Sequence, residues 1–403
     1  MQIRTGGWGV ILGADTSPQV RQALQPLLEH RQAEAGDRYG EFYLNTSSET
    51  ASEFLLRHGV GPGPANPRRV PYYILLVGSP EEITFPFQYQ LGVQHGVGRV
   101  FFKSPDGYYN YATNVVAAEK SDKLTRKRFA FFVPAHIRDP ITQDMFALAL
   151  RLENFLSSRF SAWEICRFDH SRATKTTLAE ILASRERMPL LLTLSHGARF
   201  DSGHPLQASN EGGILCAEFY EKNASGIASN MTNEVMFCKD DIPNMSGANV
   251  DILILDACRS AGTAEFDDLP STAPTDNRRR LAPSDRLAPL PLGLLSSFAD
   301  GPLAVIGHVN DPSNLSFKWR GVWTESQTYE ITLSRLLEGY PVGFAVKPYV
   351  QKFVDILAMI HPFNTNLSGH GIDDDTQEEL YRMAIGERNL IILGDPAVRI
   401  RVK

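Results

Sequence analysis

The sequence predicts an α/β protein. A mainly parallel sheet lies between helices on both faces, and a smaller α/β subdomain precedes it. Three observations carry this. Runs such as "FAFFVP" (129 to 134), "LLLTL" (190 to 194), "VDILIL" (250 to 255) and "PLAVIGHV" (302 to 309) are apolar at nearly every position. Continuous apolar strands are those covered on both faces, whereas a half-exposed strand alternates. Segments with apolar residues three and four apart separate these runs and read as helices. That alternation of strand and helix builds a doubly covered parallel sheet.

In the first half, residues 17 to 35 read as a helix and "GVGPGPANPRR" (59 to 69) as a loop. Ile74 to Val77 form a strand closed by Gly78 and Pro80, residues 97 to 102 a second strand, and 106 to 120 a helix. The charged stretch "EKSDKLTRKR" (119 to 128) marks the boundary between an N-terminal α/β subdomain, 1–126, and a second domain, 127–403. After the strand at 129 to 134, residues 141 to 159 form an amphipathic helix, with Met145, Ala149, Leu152 and Phe155 on one side. "WEICRF" (163 to 168) is a strand, and Thr177 with Glu180 fits a capping box opening a helix through Leu182. Shorter strands are expected between 213 and 238, and helices at about 326 to 338 and 343 to 360.

Composition excludes several functions. The 403 residues carry 40 basic and 46 acidic side chains, a net charge of −6. That balance, with no basic stripe, argues against direct nucleic-acid binding. No stretch of about 18 apolar residues or signal-peptide core is present, so neither a membrane span nor secretion is expected. The four cysteines, Cys166, Cys216, Cys238 and Cys258, lack CxxC spacing, which suggests reduced thiols in a cytoplasm and no metal site. "GGWGVILG" (6 to 13) is not a dinucleotide fingerprint, and no cofactor is expected.

Ligands of such sheets sit beyond the carboxyl ends of the strands. Two strands end there in reactive residues: "LLLTL" runs into Ser195-His196-Gly197, and, 62 residues after His196, "VDILIL" runs into Asp256-Ala257-Cys258. A thiol is mostly protonated at neutral pH, and a neighbouring imidazole can take its proton. Backbone N–H groups at Gly197 and Cys258 suit an oxyanion hole, because glycine lets a carbonyl approach. Buried cysteines and lone histidines are commonly structural. It is the pair of strand ends that raises His196 and Cys258 above that background. The other cysteines read as core filler. His308 and His204 read as structural residues near the same cleft, and no residue presents itself as the partner that orients His196.

"LLLTLSHG" and "LILDACRSAG" resemble the two signature strands of caspase-fold cysteine peptidases, which include caspases, metacaspases, gingipains, separases and bacterial CHAT proteins. Asp256 stands where caspases carry Gln, as in metacaspases and CHAT proteins. "GPLAVIGHV" is similar to the strand after the catalytic loop of CHAT proteins. "LIILGDPAVRI" (390 to 400) is similar to the closing strand of CHAT and gingipain-like domains. "YILLVGSPEEITFPFQYQ" is similar to the leading subdomain of gingipain-like peptidases. The resemblance covers residues 127 to 403 well and 1 to 126 loosely.

It implies a caspase-like fold with a noncatalytic first subdomain, and a cysteine endopeptidase with Cys258 as nucleophile and His196 as base and acid. The substrate would be a protein, and a regulatory or sensor protein and a role in bacterial signalling or defence are further implications. Asp256 would hold a basic residue before the scissile bond; the alternative is that it caps a turn. The Pro-, Asp- and Arg-rich segment 264 to 291 reads as a mobile loop, with Arg278, Arg279 and Arg280 as self-cleavage positions or a solvated charge run. Two other functions remain open: a silent caspase-fold scaffold that binds partners, and a different thiol acyl-transfer enzyme such as an amidase.

Overall fold

The computed structural model describes residues 2–121, 125–222, 231–268, 278–313, 318–323, 326–360 and 374–402. Its centre is one ten-stranded sheet. In chain order the strands are β1 (Trp8–Leu12), β2 (Tyr39–Tyr43), β3 (Tyr73–Val77), β4 (Gly96–Val100), β5 (Arg128–Val133), β6 (Glu164–Asp169), β7 (Met188–Leu194), β8 (Val250–Asp256), β9 (Ala304–His308) and β10 (Leu390–Gly394). Across the sheet they run β2-β1-β3-β4-β10-β9-β8-β7-β5-β6. Every neighbouring pair is parallel except β9 with β10. Two parallel blocks of five strands therefore run in opposite directions and meet at that pair. The first block takes four strands from the N-terminal subdomain and its fifth, β10, from the C-terminus.

Helices cover both faces, as the continuous apolar strands require. In β1 and β3 alternate side chains go to opposite faces. Val10, Leu12, Leu75 and Val77 join the main core, which continues through β5, β7, β8 and β9. Ile11, Ile74 and Leu76 join a second core with Phe54 and Phe87 of helices Ala51–Arg57 and Phe85–Gln94. The caspase-like α/β/α sandwich is thus continuous with the N-terminal α/β half. No helix among the described residues is long and apolar enough to cross a membrane.

The C-terminal strand is fastened into the first block by buried charge. Asp395, directly after β10, accepts from Trp8 Nε1 at 2.9 Å and from Arg31 Nε at 2.6 Å. Arg31 also donates to both oxygens of Glu119, at 2.7 and 2.8 Å. Arg31 and Asp395 are fully buried. Breaking such a pair from one side costs about 3–5 kcal/mol, because it strands a buried charge. The "GDP" motif therefore ties three distant stretches of chain together.

Several elements depart from the sequence reading. Helix Lys175–Leu182 is capped by Thr174, whose hydroxyl accepts from Thr177 N–H at 3.1 Å. Thr177 lies inside the first turn, because the Thr174-x-x-Thr177 pair caps the helix three residues before the Thr177-x-x-Glu180 pair. The stretch from 213 to 238 holds two-residue strands, Ile214–Leu215 and Met236–Phe237, with helix Ala217–Lys222 between them. The short glycine-broken run at the N-terminus is β1, fully buried despite its two-residue spacing of glycines.

Candidate active site

Three adjacent strands, β5, β7 and β8, end on one edge of the sheet, and each delivers one residue. The loop after β5 brings Asp139. His196 follows β7 by two residues and Cys258 follows β8 by two. Register pairs Leu194 with Asp256, so His196 and Cys258 emerge side by side.

His196 Nε2 lies 2.8 Å from Asp139 Oδ2. The other oxygen of Asp139 accepts from the N–H groups of Ile141 and Thr142 at 3.0 and 3.4 Å, capping helix Pro140–Arg159. Tyr220 Oη reaches Oδ2 at 3.4 Å. Burial pulls the Asp139 carboxyl up; the bond and charge of His196 and the helix N–H groups outweigh it and hold the group below its ordinary value. This is the orienting partner that the sequence did not present. Its local signal was there: an acid before a proline, "RDPIT", just after an apolar strand, is a helix N-cap at the reactive edge. Nothing in the sequence says that β5 adjoins β7.

Gly197 packs directly on the backbone of Cys258. A Cβ built there falls 1.9 Å from the Cys258 carbonyl oxygen, so only glycine permits this approach. Its bridge to Ile214 uses the N–H groups of Leu215 and Ala198, and its own N–H is directed at the Cys258 thiol.

The Cys258 residue keeps part of its surface exposed. Burial pushes its thiol up to about 12, and the Asp311 carboxylate adds to this. Arg199, Arg259 and the Gly197 N–H pull the other way and lose. The resting state is therefore a thiol, not a thiolate.

The residues after Cys258 hold the loop. Arg259 has a positive φ of 57° and is buried. It makes a close ion pair with Glu211, donates to the Phe200 carbonyl at 3.2 Å, and lies 3.3 Å from Asp311. Ser260 Oγ donates to the Leu255 carbonyl at 2.6 Å and accepts from His308 N–H at 3.1 Å, linking β8 to β9.

Asp256 is 3% exposed and lies beside His308, Oδ1 to Nε2 at 3.3 Å. Asp256 Oδ2 and His308 Nδ1 are buried without a hydrogen-bond partner. His204 stacks on Phe200 at 5.1 Å and accepts from Leu206 N–H within its own turn. Cys166 sits in β6, Cys216 and Cys238 are buried near the small hairpin, and burial raises all three thiols. In the segment 264 to 291, residues 269–277 lie outside the described residues. Arg278, Arg279 and Arg280 are exposed at its rim. Arg278 and Arg280 stack on Phe266 at 4.9 and 5.7 Å.

No family model matches this sequence, and no curated protein matches it. Solved structures do match in fold. One described as "Structure of Protease" aligns over 100% of this chain and 82% of its own, with TM-score 0.54 and 11% identity. A complex of the pro- and mature domains of Porphyromonas gingivalis RgpB aligns over 98% of this chain and 80% of its own, with TM-score 0.53 and 11% identity. At that identity the likeness is one of fold.

Proposed function

We propose that the protein is a cysteine endopeptidase in which Cys258 is the nucleophile, His196 the general base and acid, and Asp139 the residue that positions His196. The observation that carries this is the delivery of all three by the adjacent ends of β5, β7 and β8, with His196 held by Asp139 at 2.8 Å. The protease descriptions of the two fold neighbours agree with it.

The chemistry follows from the groups present. His196 takes the Cys258 proton as sulfur attacks the scissile carbonyl carbon. The tetrahedral oxyanion is met by the N–H groups of Gly197 and Cys258. The C–N bond breaks as His196 returns the proton to the leaving amine, leaving a thioester. Water, deprotonated by His196, then releases the acid and regenerates the thiol. Asp139 keeps one imidazole nitrogen occupied, which leaves the other to exchange protons with sulfur.

Asp256 forms the floor of the pocket for a basic residue before the cleaved bond. Its support is the unpartnered Oδ2, a buried acceptor that a guanidinium or ammonium would satisfy. The exposed Arg278–Arg280 rim is the self-cleavage segment of a basic-specific enzyme, acting in the cytoplasm on a partner protein in bacterial signalling or defence. The first domain, 1–126, is noncatalytic, and a sensor protein supplies the trigger.

A second reading, a silent scaffold, draws on the burial around Cys258, which pushes its thiol up and favours the protonated form. One experiment separates the two. Wild type and Cys258→Ala are incubated with a mixed peptide library, and products are read by mass spectrometry. Cleavage after Arg or Lys that falls at least about 10³-fold in the variant is expected. Equal product from both proteins, or none under any activating condition, would sink the peptidase. Equal turnover after apolar residues would sink only the role of Asp256.

A further inference from the structure

The strands that end at Cys258 begin at a second feature, on the opposite edge of the sheet. Three short stretches each place two arginines with one residue between them: Arg126 and Arg128, Arg185 and Arg187, Arg399 and Arg401. In extended chain, residues two apart face the same side. Thr125 and Val402 form a parallel bridge, with Thr125 N–H donating to the Arg401 carbonyl at 3.2 Å. Two of the pairs therefore lie alongside each other, and the third enters from the turn before β7. All six line one cleft of about 510 Å³, together with only three carboxylates, Glu186, Asp251 and Asp300.

The arginines are not equally occupied. Arg187 is consumed by a close pair with Asp251 and by the carbonyls of Asp300 and Gly301, both at 3.0 Å. Arg401 caps the end of helix Pro105–Lys120 through the carbonyls of Ala118, Glu119 and Ser121. The carboxylate pairs of Arg128 are loose, 3.3 Å to Glu164 and 3.9 Å to Glu186, and its Nε is buried without a hydrogen bond. Arg126 is 3.6 Å from Glu186. Among the described residues, no carboxylate lies within ion-pair distance of Arg185 or Arg399. A cleft with three positive charges in excess keeps its like charges together at a cost that a bound anion removes.

We propose that this back-edge cleft binds a compact polyphosphate anion, such as the triphosphate of a nucleotide. Guanidinium forks match phosphate oxygens in pairs, and several converging forks are the arrangement that recognises adjacent phosphates. The volume is that of a small-ligand site rather than a groove for a polymer. A chain of net charge −6 without a continuous basic stripe is not built to track a nucleic-acid backbone. The site is independent of the peptidase reading, since it uses no residue of the reactive edge.

The test is calorimetric titration of the full chain with sodium tripolyphosphate at low salt, beside ATP, adenosine, a single-stranded oligonucleotide and an acidic peptide. Arg185→Gln and Arg399→Gln are combined as the variant; both side chains are exposed, so the fold is kept, as a thermal melt without ligand checks. Tripolyphosphate and ATP bind wild type, adenosine does not, and the double variant binds at least about tenfold more weakly. Cys258→Ala binds as wild type does. Absence of tripolyphosphate binding up to about 1 mM, where only about 4 kcal/mol of affinity would remain, overturns the proposal. So does equal affinity in the double variant, or binding of the oligonucleotide or acidic peptide while tripolyphosphate is inert.

Discussion

The two edges of the sheet use the same strands and opposite electrostatics. At the carboxyl ends of β5, β7 and β8, each ionisable group named below has a partner within the chain. Asp139 meets His196, Arg259 meets Glu211 and Asp311, Arg199 meets Asp311 at 3.2 Å, and Asp256 lies beside His308. At the amino ends, about 20 Å away along strands of seven residues, six arginines face three carboxylates. Around Cys258 the Asp311 carboxylate opposes the Arg199 and Arg259 guanidiniums, so desolvation decides and favours the protonated thiol. Unbalanced charge in an open cleft is left for a ligand. The front is an edge that waits for substrate to complete it, and the back is an edge that waits for an anion.

The sharpest way to break this contrast is to measure the thiol. If burial decides its state, Cys258 is alkylated by iodoacetamide about 10³-fold more slowly at pH 8 than a free thiol with its usual value near 8.5. Its rate then climbs about tenfold per pH unit through pH 10, because the raised value of about 12 keeps the thiolate fraction proportional to hydroxide throughout. Cys238, raised to about 11, would react no more slowly on ionisation alone. Peptide mapping after timed labelling reads both sites. A plateau for Cys258 at or below pH 8.5 would mean that His196 already holds the proton and that the front edge is charged at rest.

The next test addresses the double use of Asp139. Asparagine is as good an N-cap as aspartate, so Asp139→Asn keeps helix Pro140–Arg159 and costs under about 1 kcal/mol of stability. It removes the carboxylate from His196 and offers an amide that competes for the wrong imidazole tautomer. Turnover of the peptidase substrate is expected to fall about 10²-fold with little change in KM. Equal losses in melting temperature and activity would reduce Asp139 to a helix cap.

How far these features could be read beforehand depends on the kind of signal each leaves in a single chain. His196, Gly197 and Cys258 stood out because a parallel sheet places its chemistry just past apolar runs, and both runs are uninterrupted. Asp139 did not, since its meaning depends on β5 lying beside β7, a neighbour relation that no local pattern encodes. The N-terminal strands β1 and β2 were missed for a related reason: glycines in "GGWGVILG" and the half-buried "YGEFY" weaken the local strand signal, while the sheet supplies the pairing. The Thr174 cap was a three-residue slip between two threonines. The arginine cleft was the least legible. Each Arg-x-Arg pair looks like ordinary surface charge, and "TRKR" was read as a domain boundary. The bridge between residues 125 and 402, with the pairing of β5 and β7, brings the pairs together.

The smallest expected effect grades the arginines within that cleft. Arg126 is 75% exposed and shares Glu186 with Arg128. Arg185 has no described carboxylate and sits on the turn leading into β7. An exposed charge that already has a partner, screened by water, contributes little, so Arg126→Gln should weaken tripolyphosphate binding only about two- to threefold. Arg185→Gln alone should cost more, because its full charge is available to the ligand. Titrations of the two single variants at the same ionic strength rank them. The reverse order would place the phosphates at the open mouth of the cleft, against β5, and would redraw the back edge as a surface patch rather than a pocket.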